Sequence, residues 1–93
     1  MSLLVVIPAF NEEKSISNVI QDVRTHIRNA SILVVDDGSQ DSTAEIAKSM
    51  SVNVVSLPFN VGVGGALRVG FLYAQRNSFS QVLQVVADGK HRA

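Results

Sequence analysis

Three short segments, each ending an apolar run, hold all the acidic residues of this chain except Asp22, Asp41 and Glu45. They are Pro8-Ala9-Phe10-Asn11-Glu12-Glu13, Asp36-Asp37-Gly38-Ser39 and Ala87-Asp88-Gly89-Lys90-His91. Carboxylates hold hard cations and accept hydrogen bonds from hydroxyls, so segments that bring them to one rim suit a small, polar ligand. Asp36 and Asp37 invite comparison with a paired general acid and base, but adjacent residues leaving a strand point to opposite sides. Either one of them faces a ligand while the other braces loop or helix N–H groups, or both are solvated turn acids of the Asp-Gly-Ser kind. Glu12 and Glu13 have a similarly plain alternative, which is to favour the first turn of a following helix through its dipole. Asp88 in Asp-Gly is by itself a turn signal, and Lys90, His91 and Arg92 read as a solvated basic tail. His26 and His91 are the only histidines. Neither lies beside a serine and an acid in the pattern of a hydrolase triad, so no catalytic residue is assigned. Gly62, Gly64, Gly65 and Gly70 do not spell G-x-G-x-x-G, and no G-x-x-x-x-G-K-[ST] occurs. These glycines suit a tight loop and a close helix contact better than a phosphate cradle.

The elements that must position these segments are legible from periodicity. Leu3 to Ile7, Ile32 to Val35, Val52 to Leu57 and Val82 to Val86 are short apolar runs of strand type, and their continuous character predicts a sheet covered on both faces. Ile16, Val19, Ile20, Val23 and Ile27 recur at spacings of three and four, which predicts an amphipathic helix. A second helix is predicted from Asp41-Ser42-Thr43, whose oxygens suit the capping of orphan N–H groups, through Ile46, Ala47 and Met50. A third follows the glycine cluster and presents Leu67, Phe71 and Ala74, with Gly70 permitting a close approach to a strand. Strands alternating with helices predict an α/β domain. The right-handed crossover rule then leads to an open, Rossmann-like parallel sheet of about four strands in order 3-2-1-4 with three helices. Ligands bind such sheets at the carboxyl ends of the strands, where the strand order reverses.

With 93 residues, 46% of them apolar, the chain makes one domain over residues 1–93. Eight Lys+Arg balance eight Asp+Glu, which gives no positive field to attract nucleic acid or an anionic membrane surface. The absence of cysteine excludes disulfides and thiolate metal sites and agrees with a cytoplasmic setting. The apolar start stops at Pro8 without a basic lead-in or a cleavage site, so it reads as a buried strand and not as a signal peptide. No apolar stretch approaches the roughly 20 residues of a membrane span.

Val6-Ile7-Pro8-Ala9-Phe10-Asn11-Glu12-Glu13, followed by Val34-Val35-Asp36-Asp37-Gly38-Ser39-Gln40-Asp41-Ser42-Thr43, resembles family 2 glycosyltransferases of the dolichyl-phosphate mannose synthase type. Asn60-Val61-Gly62-Val63-Gly64-Gly65 through Phe71 is similar to the family's asparagine-glycine loop and helix, and Ala87-Asp88-Gly89-Lys90-His91 to the end of its DxD segment. The resemblance implies the nucleotide-binding opening half of a GT-A fold. It places Pro8, Phe10 and Glu12 around the base and ribose of a UDP- or GDP-linked sugar, with Val35 and Asp37 nearby. Ala87 would join the nucleotide-sugar site, and Asp88 would approach the diphosphate and be the ligand of Mg²⁺ or Mn²⁺. The first DxD position is Val86, which offers no oxygen to a cation. Lys90 would bring a positive charge toward the phosphates.

The family's catalytic base and acceptor residues fall in the half that would follow residue 93. The expectation is therefore a donor-binding portion, cut short, that performs no transfer by itself. The alternative is a degenerate nucleotide-binding or assembly module. Longer relatives would work at the cytoplasmic face of a membrane, and the bare sheet edge left where later strands should pair offers a route to a homo-oligomer.

Overall fold

A computed structural model describes residues 2–87. In chain order the elements are β1 (Leu3–Ala9), α1 (Ile16–His26), β2 (Ala30–Asp36), α2 (Thr43–Ser49), β3 (Asn53–Ser56), α3 (Gly62–Arg76) and β4 (Gln81–Gln84). All strand pairs are parallel and the sheet order is β3-β2-β1-β4, as predicted. Asp88, and with it the expected metal ligand and the basic tail, lies outside the described residues.

The period of two along β1 and β2 sorts their side chains into two cores. Val5, Ile7 and Ala9, with Ile32 and Val34, pack against the α1 stripe of Ile16, Val19, Ile20 and Val23 and against Ala47 of α2. Leu4, Val6, Leu33 and Val35 face the other way and pack against Ala66 and Ala74 of α3. Both central strands are thus covered on both faces, as their unbroken Val/Ile/Leu runs predict. The edges are not: every residue of β4 is exposed, and so is Val86 beyond it. The helices lie over the middle of a four-stranded sheet and leave its β4 margin uncovered.

β1 runs two residues further than predicted and takes in Pro8, an unusual residue for a central strand. Its phase explains why it fits. The Val6 carbonyl accepts the Val85 N–H on the β4 side, and the Ala9 carbonyl accepts the Asp37 N–H on the β2 side. Pro8 is in phase with Val6, so its nitrogen faces the β4 side, beyond the β1–β4 register, which ends at Val6↔Gln84. No ladder hydrogen bond with β2 is lost.

α3 differs from expectation in two ways. It starts at Gly62, inside the glycine cluster and not after it. Its buried residues are Ala66, Gly70 and Ala74, spaced by four. Phe71, expected to face the core, is 51% exposed, while Leu67 is partly buried at the margin of the core. The reason is steric. A Cβ on Gly70 would lie 2.5 Å from Val6 Cγ1, so the helix sits so close to β1 that its contact line admits only small side chains. Large ones are turned to the flanks.

Candidate functional site

The carboxyl ends of the strands carry two loops, residues 10–15 after β1 and 37–42 after β2. Side-chain to backbone hydrogen bonds join them. Asn11 donates its N–H to Ser39 Oγ at 2.8 Å and accepts the Gln40 N–H on its Oδ1 at 2.9 Å. Glu13 donates its N–H to Asp41 Oδ2 at 3.2 Å and accepts the Ser42 N–H on Oε1 at 3.0 Å. Between these two reciprocal pairs, the Glu12 N–H is donated to Thr43 Oγ1 at 2.9 Å. Asn11 adopts φ +52, a left-handed conformation that asparagine tolerates better than most residues and that reverses the chain after β1. Glu12 and Glu13 do not sit in the first turn of α1, which contains no acid. Glu13 instead takes the backbone N–H of Ser42 at the start of α2.

Both aspartates at the end of β2 brace backbone. Asp36 Oδ1 accepts the Ser39 N–H at 3.2 Å and closes the turn. Asp37 receives the N–H groups of Val61 and Gly62 at 2.8 and 2.9 Å, one on each carboxylate oxygen, while its own carbonyl accepts Asn60 Nδ2 at 3.2 Å. The anion that favours the amino-terminal end of α3 is therefore a side chain of the protein itself. This also lets a helix start in glycine-rich sequence. Gly38, at φ +79, makes the approach possible: a Cβ there would meet Asn60 N and the Phe59 carbonyl carbon at 2.6 Å. Among the described residues, every buried side-chain nitrogen or oxygen has a partner.

The Asp41 carboxyl is held below its ordinary value of 3.8. Burial alone would raise it, but hydrogen bonds from the Thr43 hydroxyl, the Thr43 N–H and the Glu13 N–H favour the charged form and prevail. The expected capping at the start of α2 takes an altered form. Ser42 at the N-cap makes no side-chain cap, and Asp41 Oδ1 takes the Thr43 N–H at 3.0 Å instead.

A cavity of about 160 Å³ opens at this rim, lined by Pro8, Ala9, Phe10, Glu12, Asp37, Val63, Val86 and Ala87. It lies where β1 and the chain leaving β4 diverge, the point at which the strand order reverses. Five of the residues singled out in the sequence, Pro8, Phe10, Glu12, Asp37 and Ala87, meet here. Val35 does not: it is fully buried in the core beneath α3, as its strand phase requires. Val63, in the first turn of α3, and Ala9 join the lining without having been anticipated. The position of Val63 inside the glycine cluster was the available signal.

Among the described residues the lining is largely apolar, with two carboxylates and no cation. Phe10 is 44% exposed at the mouth. Glu12 Oε1 accepts the Ser15 hydroxyl at 3.1 Å, and the second oxygen of this partly exposed side chain has no donor among the described residues. No three His, Asp or Glu side chains come together as a metal site among the described residues. With both Asp37 oxygens engaged by backbone, the described part of the pocket does not by itself fit a divalent cation. No helix among the described residues is long and apolar enough to cross a membrane.

Known proteins are similar to this chain in sequence and fold. An uncharacterized protein of Methanocaldococcus jannaschii is 42% identical over 89 residues, covering 96% of this chain and 36% of that protein. Polyprenol monophosphomannose synthase of Mycolicibacterium smegmatis is 33% identical over 94 residues, covering 95% of this chain and 36% of the synthase. The crystal structure of glucosyl-3-phosphoglycerate synthase from Mycobacterium tuberculosis, in complex with Mn²⁺, UDP and glucosyl-3-phosphoglycerate, matches with a TM-score of 0.70 at 28% identity. That match covers 94% of this chain and 33% of the synthase. The chain thus spans about a third of the length of these relatives. The profile of Glycosyl transferase family 2 matches residues 4–83, most of the chain and all seven elements in whole or part, and the sheet is that of GT-A glycosyltransferases. On sequence and fold together, the chain belongs to glycosyl transferase family 2.

Proposed function

We propose that residues 1–93 form one nucleotide-sugar-binding unit, the donor-binding portion of a family 2 glycosyltransferase, and that the rim cavity takes the nucleoside end of a UDP- or GDP-linked sugar. The observation that carries this reading is the convergence of Pro8, Phe10, Glu12, Asp37 and Ala87 at the strand-order reversal of an open parallel sheet. Phe10 offers a flat apolar surface for a base, and Glu12 offers a carboxylate oxygen to ribose hydroxyls. Asp37 shapes the site by fixing the start of α3, which carries Val63 into the wall. The cavity is small beside the roughly 300–1,000 Å³ of ordinary ligand pockets, which suits one end of an extended ligand.

Diphosphate and metal are assigned to Asp88, with Mg²⁺ or Mn²⁺ held weakly. Manganese and UDP in the Mycobacterium tuberculosis synthase support a divalent ion in this reading. Transfer of a sugar to a polyprenol-phosphate acceptor at a cytoplasmic membrane face is proposed for full-length relatives. Binding is what is proposed for these 93 residues.

The rival reading is a nucleotide-binding or assembly module without metal chemistry, favoured by Val86, which is 42% exposed and lines the cavity where the resemblance places an aspartate. Titration calorimetry with UDP, GDP and their sugars, with and without Mg²⁺ or Mn²⁺, tests both. Donor binding predicts measurable heat at millimolar ligand, and a flat titration in every case removes it. Val86→Asp should add metal-dependent affinity only if a donor site exists beside it.

A further inference from the structure

Among the described residues, Thr43 is the one fully buried polar side chain at the rim, with no accessible surface. Its hydroxyl has two duties. It donates to Asp41 Oδ1 and accepts the backbone N–H of Glu12 at 2.9 Å. The hydroxyl hydrogen is committed to Asp41, so the oxygen lone pairs are oriented toward the other loop. Asp41 is held in turn by the N–H groups of Thr43 and Glu13. The Glu12–Thr43 bond lies between the reciprocal Asn11–Ser39–Gln40 and Glu13–Asp41–Ser42 exchanges. It is the one bond of the set that acts on Glu12, a residue of the cavity lining.

From this geometry we infer that Thr43 is a positioning residue for ligand binding: its buried hydroxyl, aimed by Asp41, fixes the Glu12 backbone and so holds Glu12 in its place in the cavity lining. The ligand half of this inference rests on the proposed donor site; the loop half does not. A threonine used only for helix formation would be replaceable by valine, which has the same shape and lacks the hydroxyl. A threonine used to place Glu12 would not.

The test compares Thr43→Val, Thr43→Ser and Asp41→Asn with the unmodified chain, using two readouts. Amide hydrogen exchange at Glu12, followed by NMR without ligand, reports the loop contact, with Ile7 and Val34 as strand references. The UDP dissociation constant reports its consequence. Expected for Thr43→Val is faster exchange at Glu12 with the strand amides unchanged, and UDP affinity lower by about five- to tenfold, the scale of one hydrogen bond. Serine should restore both, and Asp41→Asn should fall between.

Unchanged exchange at Glu12 in Thr43→Val overturns the inference. Faster exchange with unchanged UDP affinity overturns the positioning role and leaves only a loop contact. If Thr43→Val fails to fold, Thr43→Ser and Asp41→Asn carry the comparison, and equal exchange and affinity in both overturn the inference. An unmodified chain that binds neither UDP nor GDP defeats the donor-site reading and the ligand half with it, while the exchange rates still decide the loop half.

Discussion

Asp37, the first residue beyond β2, holds Gly62, the first residue of α3, through an N–H donated to its carboxylate at 2.9 Å, and its other oxygen holds Val61 at 2.8 Å. These residues are more than twenty positions apart in the chain. The contact ties a loop beside the cavity to the helix that supplies part of the cavity wall, so shape and stability depend on one side chain.

Asp37→Asn should therefore cost about 1–3 kcal/mol. The substitution removes the charge that favours the start of α3 and presents an N–H₂ group to one of two backbone donors. A fall in the denaturant midpoint with an unchanged slope is the expected reading. An unaltered midpoint would show that water replaces the carboxylate without loss.

Gly64 and Gly70 lie in the same helix and should respond to alanine in opposite senses. A Cβ at Gly64 meets nothing within 4 Å, whereas at Gly70 it falls 2.5 Å from Val6 Cγ1 and 2.9 Å from Cγ2. Valine is stiff at χ1 and fully buried here, so it cannot swing aside. Gly64→Ala should stabilise by about 0.5–1 kcal/mol through helix propensity, and Gly70→Ala should destabilise by about 1–3 kcal/mol through overpacking. Thermal melts of the two variants check both signs.

Asp41 sets a pH dependence. Its carboxyl lies below the ordinary value of 3.8 in the fold, so the folded state favours the deprotonated form. The stability it contributes is present in full above the unfolded value and is lost as pH falls through the folded one. The gap between the unfolding midpoints of the wild type and Asp41→Asn should be constant above about pH 5 and should narrow below 3.8. A gap that widens on acidification would contradict the hydrogen-bond assignment.

Period and composition alone determined the alternation of strands and helices, the apolar stripe of α1 and the parallel order β3-β2-β1-β4, because these follow from near-neighbour spacing and from the handedness of crossovers. The convergence of Pro8, Phe10, Glu12, Asp37 and Ala87 followed in turn, since strands that lie side by side bring their carboxyl ends to one rim. Motif resemblance had marked the same five residues.

Only the tertiary structure decided which side chains serve the cavity and which serve the scaffold. Val35 lies in a matching motif, but its strand phase turns it into the core beneath α3. Asp37 spends both oxygens on backbone that no local rule connects to it, and this shifts the start of α3 into the glycine run. Phe71 and Leu67 fit a helical stripe equally well, and the close packing of Gly70 on Val6, where a Cβ would lie 2.5 Å from Cγ1, turned the contact face toward Ala66, Gly70 and Ala74. Thr43, read locally as a cap, gives its hydroxyl to the neighbouring loop. Periodicity tells which residues are apolar and on which side of their own element they fall. It carries no term for how closely two elements pack, and that distance determines which donors find which acceptors.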